Sequence, residues 1–490
     1  MLIGTHIFCE FSPLNWFESA NIDDIVSELD SVVSNGFNCV FLIIPCAPII
    51  YDTEQKSALL ITILKEARYR QLEVHIRACY LWESGIYPNS TYHILSQAMH
   101  QPAEHQLLVR YFEILRTCID CSDNPVVKVF ISWEDFYWPI FRHWPLLNES
   151  ERADIAHRAG YVQFVHALCL TSTPMIIPPS NDVSISIFIS FFDTILLPRI
   201  LRLAKEIIGA IGYEYRIDSD ELPKEAEDTH RKFYHWQRSQ LYVDQSYIYF
   251  HQNIGGPGSK NLSGEDAALN LRNLLRTIAP MFRHGEQLPI IDQFNFIDST
   301  ENSWSALKKD ASTFDAFFKK SLEIINESSS GVVLWSYRDW PKDIVFNGKF
   351  RYGDKGWETY GELNFDENNG IIAMSGAKLL QRFNLELNDT KFVTIRIIAS
   401  PLGSLSASLS VAYGDNAVNT ACYGEDITLK LPFCTNNLIT IKVIKGSVKI
   451  SQVSVYDRIY SQGGKSIKDE TTESSEAFLA FSKSLSRKSN

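Results

Sequence analysis

Short, continuous apolar runs alternate with stretches of helical period through the first two-thirds of the chain. Leu2 to Glu10 reads as a strand that ends on a carboxylate. Asn21 stands as an N-cap before Ile22, Ile25, Val26, Leu29, Val32 and Val33, which recur at helical spacing, with Gly36 past the end. Phe37 to Pro45 and Leu72 to Tyr80 read as further strands, with a helix around Leu59 to Arg70 between them. A helix carrying Leu107, Leu108, Tyr111, Phe112 and Leu115 leads to VVKVFISWEDFYW, Val126 to Trp138. That stretch starts as a strand buried on both faces and ends in Glu134 and Asp135 among Trp133, Phe136, Tyr137 and Trp138.

Beyond Pro139, helical patterns cover roughly Ser150 to Leu170 and Ile187 to Ile208. Either MIIP or YEYRID, Tyr213 to Asp218, supplies the fifth strand, and the acids Glu214, Asp218 and Asp220 favour the second. Ser246 to Gln252, Leu288 to Phe296 and Gly331 to Tyr337 follow, the last preceded by a helix from about Trp304 to Ile325. Alternating strands and helices predict an α/β fold with parallel pairing, a (β/α)8 TIM barrel over residues 1–343. From Phe346 the period becomes that of strands: Phe392 to Ile398, Ser406 to Tyr413, Ile427 to Pro432, Leu438 to Val443 and Val448 to Val455. Residues 344–457 therefore read as an all-β jelly roll or sandwich, and 458–490, acidic and Ser-rich, as a flexible tail.

A formal net charge of -12 in 490 residues disfavours a phosphate-binding partner, which needs clustered Lys and Arg, so no nucleic-acid partner is expected. No run reaches the length of a membrane-spanning helix. The N-terminal MLIGTHIFCEF has no basic region before a long apolar core, so synthesis in the cytoplasm without a secretory signal peptide is the expectation. Nine scattered cysteines, of which only Cys118 and Cys121 are close, predict reduced thiols, no metal and no cofactor.

Acids at strand ends carry the candidate chemistry, because the C-terminal ends of barrel strands form the functional face. Glu134 crowded by aromatic rings would have its charged form disfavoured and could act as an acid, while the rings suit the C–H faces of sugars. Glu10, Glu83, Glu214 and Asp339 are the other strand-end acids. Glu214 with Arg216, and Arg338 with Asp339, read equally as structural ion pairs, and His6, His75 and His251 as hydrogen-bonded barrel residues. Trp357 and Tyr360 read either as a glycan-stacking platform or as core.

With these strands placed, the barrel resembles the clan A glycoside hydrolases, cellulase-like and family 42 β-galactosidase-like. NGKFRYGDKGW, Asn347 to Trp357, resembles the opening of a carbohydrate-binding module. The resemblance implies a retaining enzyme acting on a poly- or oligosaccharide, with Glu134 as acid/base in SWED and the nucleophile at the end of the seventh strand. There the family pattern ends in glutamate, and LPIIDQFNF offers Gln293, which cannot form a glycosyl ester, beside Asp292. Asp292 is the candidate nucleophile; Trp133, Trp138, Trp335 and Tyr337 are the implied wall, with Glu10, Glu214, Gln293 and Asp339 as further substrate contacts. Loss of the nucleophile would instead leave a non-catalytic glycan-binding protein. A composition rich in Ile, Asn, Ser and Lys with an acidic, Ser-rich C-terminus also resembles bacterial type IV effectors, which implies signal-peptide-independent export and use of the barrel as a scaffold.

Overall fold

The computed structural model describes residues 1–9, 11–13, 15–79, 106–131, 147–170, 175–178, 184–216, 243–251, 263–278, 288–295, 311–345, 347–350, 353–354, 356–366, 370–383, 391–403, 406–424 and 426–460, with 463, 465, 476, 479–481 and 483–484. Eight parallel strands close into a barrel in chain order: β1 Leu2–His6, β2 Cys39–Pro45, β3 Glu73–Cys79, β4 Val127–Ile131, β5 Ile211–Arg216, β6 Gln245–His251, β7 Ile290–Asn295 and β8 Gly331–Leu334. Closure pairs Leu2 with Gly331 and Thr5 with Leu334. The fifth strand is the one carrying Glu214; the MIIP stretch, 175–178, is not a strand.

Local chemistry explains the outer helices. Asn21 caps helix Ile22–Ser34 by accepting the Asp24 N–H at 2.9 Å, and Asn148 and Glu151 form a reciprocal capping box on helix Glu149–Ala159. Inside the barrel the side chains stack rather than leave a pore. Phe41 lies on His75 at 4.5 Å and Phe130 on Tyr247 at 4.3 Å, within a buried group that includes Cys39, Ile290 and Val333. The Tyr247 ring occupies space that only glycine leaves at position 212, since a Cβ there would collide with it.

The chain divides into two compact units, one formed by the barrel together with residues from Tyr460 onward, the other by Pro341–Ile459. The second unit draws on strands β9 Trp340–Asp343, β10 Glu358–Tyr360, β11 Leu363–Asp366, β12 Gly370–Ala373, β13 Lys378–Arg382, β14 Phe392–Pro401, β15 Ala407–Tyr413, β16 Asn416–Cys422, β17 Asp426–Pro432, β18 Leu438–Lys445 and β19 Val448–Tyr460. They form two antiparallel sheets, β10-β13-β18-β15-β16 and β11-β12-β19-β14-β17, with β9 beside β19. Alternate residues of both sheets, among them Leu379, Val411 and Ile441 on one and Ile395, Ile450 and Val453 on the other, meet in one apolar core. Trp357 belongs to that core: it is 6% exposed, packs on Phe350 at 5.2 Å and donates to the Asn347 carbonyl at 3.2 Å, so it is no surface platform.

Several residues of the C-terminal segment, expected from composition to be a flexible tail, make defined contacts within the barrel unit. Gly463 N–H donates to Asp339 Oδ1 at 2.8 Å, Asp339 N–H donates to the Lys465 carbonyl at 2.8 Å, and Lys465 N–H donates to the Tyr337 carbonyl at 3.0 Å. Phe481 is buried against Phe318 at 4.6 Å and Phe294 at 5.9 Å.

Candidate functional site

Four polar side chains converge inside the barrel from alternate strands. Arg77 projects from β3, Glu214 from β5, and Asp292 and Gln293 from β7; every one of them is fully buried. Arg77 holds both acids, one guanidinium nitrogen donating to Glu214 Oε2 at 2.6 Å and the other to Asp292 Oδ2. Gln293 Nε2 donates to the remaining Glu214 oxygen at 2.7 Å. The guanidinium also lies over the Phe130 ring at 4.9 Å, a favourable placement for a desolvated cation.

Asp292 and Gln293 are sequence neighbours, and in a regular strand they would face opposite ways. A bulge in β7 brings both inward. On the β6 side Ile248 pairs with Ile291 and Tyr249 with Gln293, which skips Asp292. On the β8 side Ile291 pairs with Val332 and Phe294 with Leu334, so two β7 residues oppose one. Bulges re-aim side chains in this way, and they are common beside functional sites. The choice between Asp292 and Gln293, exclusive for a regular strand, is thus dissolved.

The Asp292 carboxyl is held well above the usual carboxylate range. Burial is the main cause, followed by repulsion from the nearby Glu214 carboxyl, and Arg77 opposes both. Both of the raising causes favour the neutral form of Asp292. Its Oδ1, and Oε1 of Gln293, accept no hydrogen bond among the described residues.

The surrounding shell is aromatic and histidine-bearing. A His6 ring nitrogen, Nε2, lies 2.6 Å from the Asp292 carbonyl oxygen, and the His6 ring meets Trp335 edge-on at 4.8 Å. Below it His75 hydrogen-bonds the Tyr247 hydroxyl through Nδ1 at 2.8 Å and Glu73 through Nε2 at 2.8 Å. Burial lowers the His75 pKa despite Glu73. Burial pushes Glu73 upward, but His75 and Lys128 overcome it and hold its pKa at about 2. Both histidines are therefore bonded barrel residues.

The other expected site residues separate into three groups. Glu134, Trp133, Trp138 and Glu10 lie outside the described residues, as do Glu83 and the side chain of His251. Trp335 is interior, only 3% exposed, and packs on His6 and Phe8. Tyr337 is not beside it on a sugar wall: its hydroxyl bonds Ser31 Oγ and accepts from Asn35 Nδ2 at 2.8 Å, on the helix outside the barrel. β8 ends at Leu334, so the alternation that would place residues 335 and 337 on one face has stopped. Asp339 Oδ1 accepts the Gly463 N–H, and Arg338 pairs with Glu28 at 2.8 Å. Glu214 pairs with Arg77, and the side chain of Arg216 lies outside the described residues.

Arg77 is the residue that sequence reasoning missed. Its signal was present: one arginine inside LEVHIRACY, a strand otherwise fit for full burial, demands buried acid partners. Among the described residues no group of three or more His, Cys, Asp or Glu side chains could hold a metal ion, and no helix is long and apolar enough to cross a membrane.

No protein-family model matches the chain, and no curated protein sequence does. Solved structures do resemble it. The exo-β-1,4-mannosidase Op5Man5 from Opitutaceae bacterium strain TAV5 superposes with a TM-score of 0.42 at 11% identity, over 70% of this chain and 52% of that one. This chain thus spans about half the mannosidase's length. A family 5, subfamily 18 glycoside hydrolase from Streptomyces cattleya in complex with GlcNAc gives 0.42 at 12% identity, over 70% and 72% of the two chains. The apo β-glucosidase 1317 gives 0.40 at 14%, over 69% and 88%. All three are glycosidases or glycoside hydrolases by name.

Proposed function

We propose that the barrel is a carbohydrate-binding member of the glycoside hydrolase-like class that takes a poly- or oligosaccharide at its C-terminal mouth without forming a glycosyl-enzyme ester. A barrel interior serving stability alone is filled by branched apolar side chains, whereas a buried cation with two acids and an amide costs desolvation. Such a cluster at and just past the middle of the strands supports a functional floor there. One observation carries the choice of binding over double displacement. Arg77 gathers Glu214 and Asp292 into a single hydrogen-bonded unit in which burial favours the neutral form of Asp292. A retaining pair needs an ionised nucleophile and a partner roughly 5 Å away on the other side of the glycosidic bond. Two acids gripped by one guanidinium are held together rather than on opposite sides of a glycosidic bond, and Gln293 cannot form the ester.

A second reading, hydrolysis with Glu134 as acid/base, rests on Asp292 Oδ1. That oxygen accepts no bond from a described residue while Oδ2 is gripped by Arg77, the disposition of an attacking carboxylate. The test measures binding of neutral poly- and oligosaccharides, together with release of reducing sugar, for the full chain and for Glu134→Gln. Saturable binding with no turnover in either protein is expected. Turnover by the unmodified chain that Glu134→Gln abolishes would establish the second reading in place of the first, and absence of binding would overturn both.

A further inference from the structure

The outward face of the five-stranded sheet carries an unpaired positive row. The register places Tyr360 of β10 beside Lys378 of β13, Lys378 beside Lys442 of β18, Lys442 beside Ser410 of β15, and Ser410 beside Asn419 of β16. Their neighbours in sequence, Thr359, Leu379, Ile441 and Leu409, sit on the opposite face, and the last three are core. The row therefore crosses the whole sheet on its solvent side. Tyr360 is 56% exposed, and Lys378 Nζ lies 6.0 Å from the centre of its ring.

Lys378 and Lys442 are like charges directly opposite on adjacent strands, an arrangement that costs stability. Neither lysine forms an ion pair among the described residues. Glu358 stands one cross-strand pair away opposite Leu380 and is approached by the Tyr360 hydroxyl at 3.4 Å. The other sheet treats its charges differently: there Arg396 is paired with Asp426 at 2.6 Å. Beyond the lysines the row continues in Ser410 and Asn419, with Ala412 and Ala417 in the next cross-strand pair. These short side chains leave the surface low beside the lysine heads.

We propose that this face binds a polysaccharide whose rings bear carboxylates. Tyr360 offers an aromatic plane for a ring's C–H face, Lys378 and Lys442 meet its carboxylates, and Ser410 and Asn419 supply hydrogen-bonding groups along the strand-to-strand direction. An anion seated between the lysines converts the mutual repulsion into two favourable contacts, which accounts for two like charges kept side by side in a chain of net charge -12. The site is on the second unit and stands whether or not the barrel binds sugar.

The experiment uses the full chain in affinity electrophoresis against polygalacturonate and, in parallel, against the same polymer fully methyl-esterified, at low and at physiological salt. Retardation by the acid form that weakens with salt, and little by the ester, is expected. Lys378→Gln with Lys442→Gln should weaken binding of the acid form at least about tenfold, and Tyr360→Ala several-fold. Thermal unfolding of the double variant should be unchanged or raised, because a repulsion is removed, so lost affinity would not reflect lost folding. Equal retardation by the two polymers, binding untouched by the double substitution, or no binding of the acid form would each overturn the proposal. Loss of neutral-glycan binding at the barrel would leave these outcomes unchanged, so the two readings fail separately.

Discussion

Replacing Arg77 with methionine is the most direct perturbation of the buried network. The guanidinium is fully buried and donates to both Glu214 and Asp292. Burial and the neighbouring Glu214 favour the neutral form of Asp292, so removing the cation leaves a buried carboxylate charge without its partner. Breaking one side of a buried pair costs ~3–5 kcal/mol. For a unit of barrel size each kcal/mol lowers the midpoint by roughly 2–4 °C, so a fall of about 10 °C is expected. A second substitution, Glu214→Gln, removes the stranded charge and retains an oxygen for Gln293 Nε2, which donates to Glu214 at 2.7 Å. The double variant should thus be more stable than Arg77→Met alone, with a coupling of roughly 2 kcal/mol. Asp292→Asn, isosteric with the neutral acid, should shift the midpoint by only a degree or two at pH 7. Calorimetry of the full chain and the three variants measures all of these. The assignment of charges fails if Arg77→Met costs less than about 1 kcal/mol, or if Glu214→Gln adds to its cost instead of relieving it.

Two further outcomes follow from residues away from the network. Asp343 accepts the Val345 and Val455 N–H groups at 3.0 Å each, yet burial raises its pKa from 3.8 to about 6. The acid binds its proton more readily when folded, so its stabilisation is present below pH 3.8 and is lost as pH rises through about 6. A gap of about two pH units is worth at most ~3 kcal/mol, less here because the residue is only half-buried. Asp343→Asn should flatten this pH dependence in denaturant titrations, and an unchanged slope between pH 4 and pH 7 would refute it. Phe481→Ala removes a ring buried against Phe294 and Phe318 and should cost about 3 kcal/mol in the barrel's unfolding, whereas a freely moving segment would give no change.

The legible parts of this protein were those in which one periodicity governs a whole element. The runs FNCVFLIIP and LEVHIRACY declare buried strands, and their order declares parallel pairing; both statements hold in β2 and β3. Short strands of the second unit were less visible. β16, NAVNTAC, is polar and mostly exposed on both faces, so alternation offers nothing to read, and β10 has only three residues. The candidate site was half-legible: Glu214, Asp292 and Gln293 were named, but the bulge that turns two successive β7 residues inward depends on register with β6 and β8. The inward turn of Arg77 was readable from its strand, whereas its choice of Glu214, 137 residues away, over any nearer acid is a tertiary fact. Tyr337 was misplaced for a related reason, since the end of β8 cancels the alternation from which its position was inferred.

The packing of Phe481 and the bonds to Gly463 and Lys465 assign segments before and after the antiparallel module in sequence to the same compact unit. In terms of biogenesis, the ribosome finishes the eighth strand well over a hundred residues before it releases the segment that carries Phe481. A growing chain folds unit by unit from its N-terminus, so the barrel must wait, incompletely clad, while the sheets are being made. The same arrangement sets a rule for cutting the protein into parts. Stopping translation after the last module strand removes barrel material, whereas excising the module and rejoining its flanks spares it.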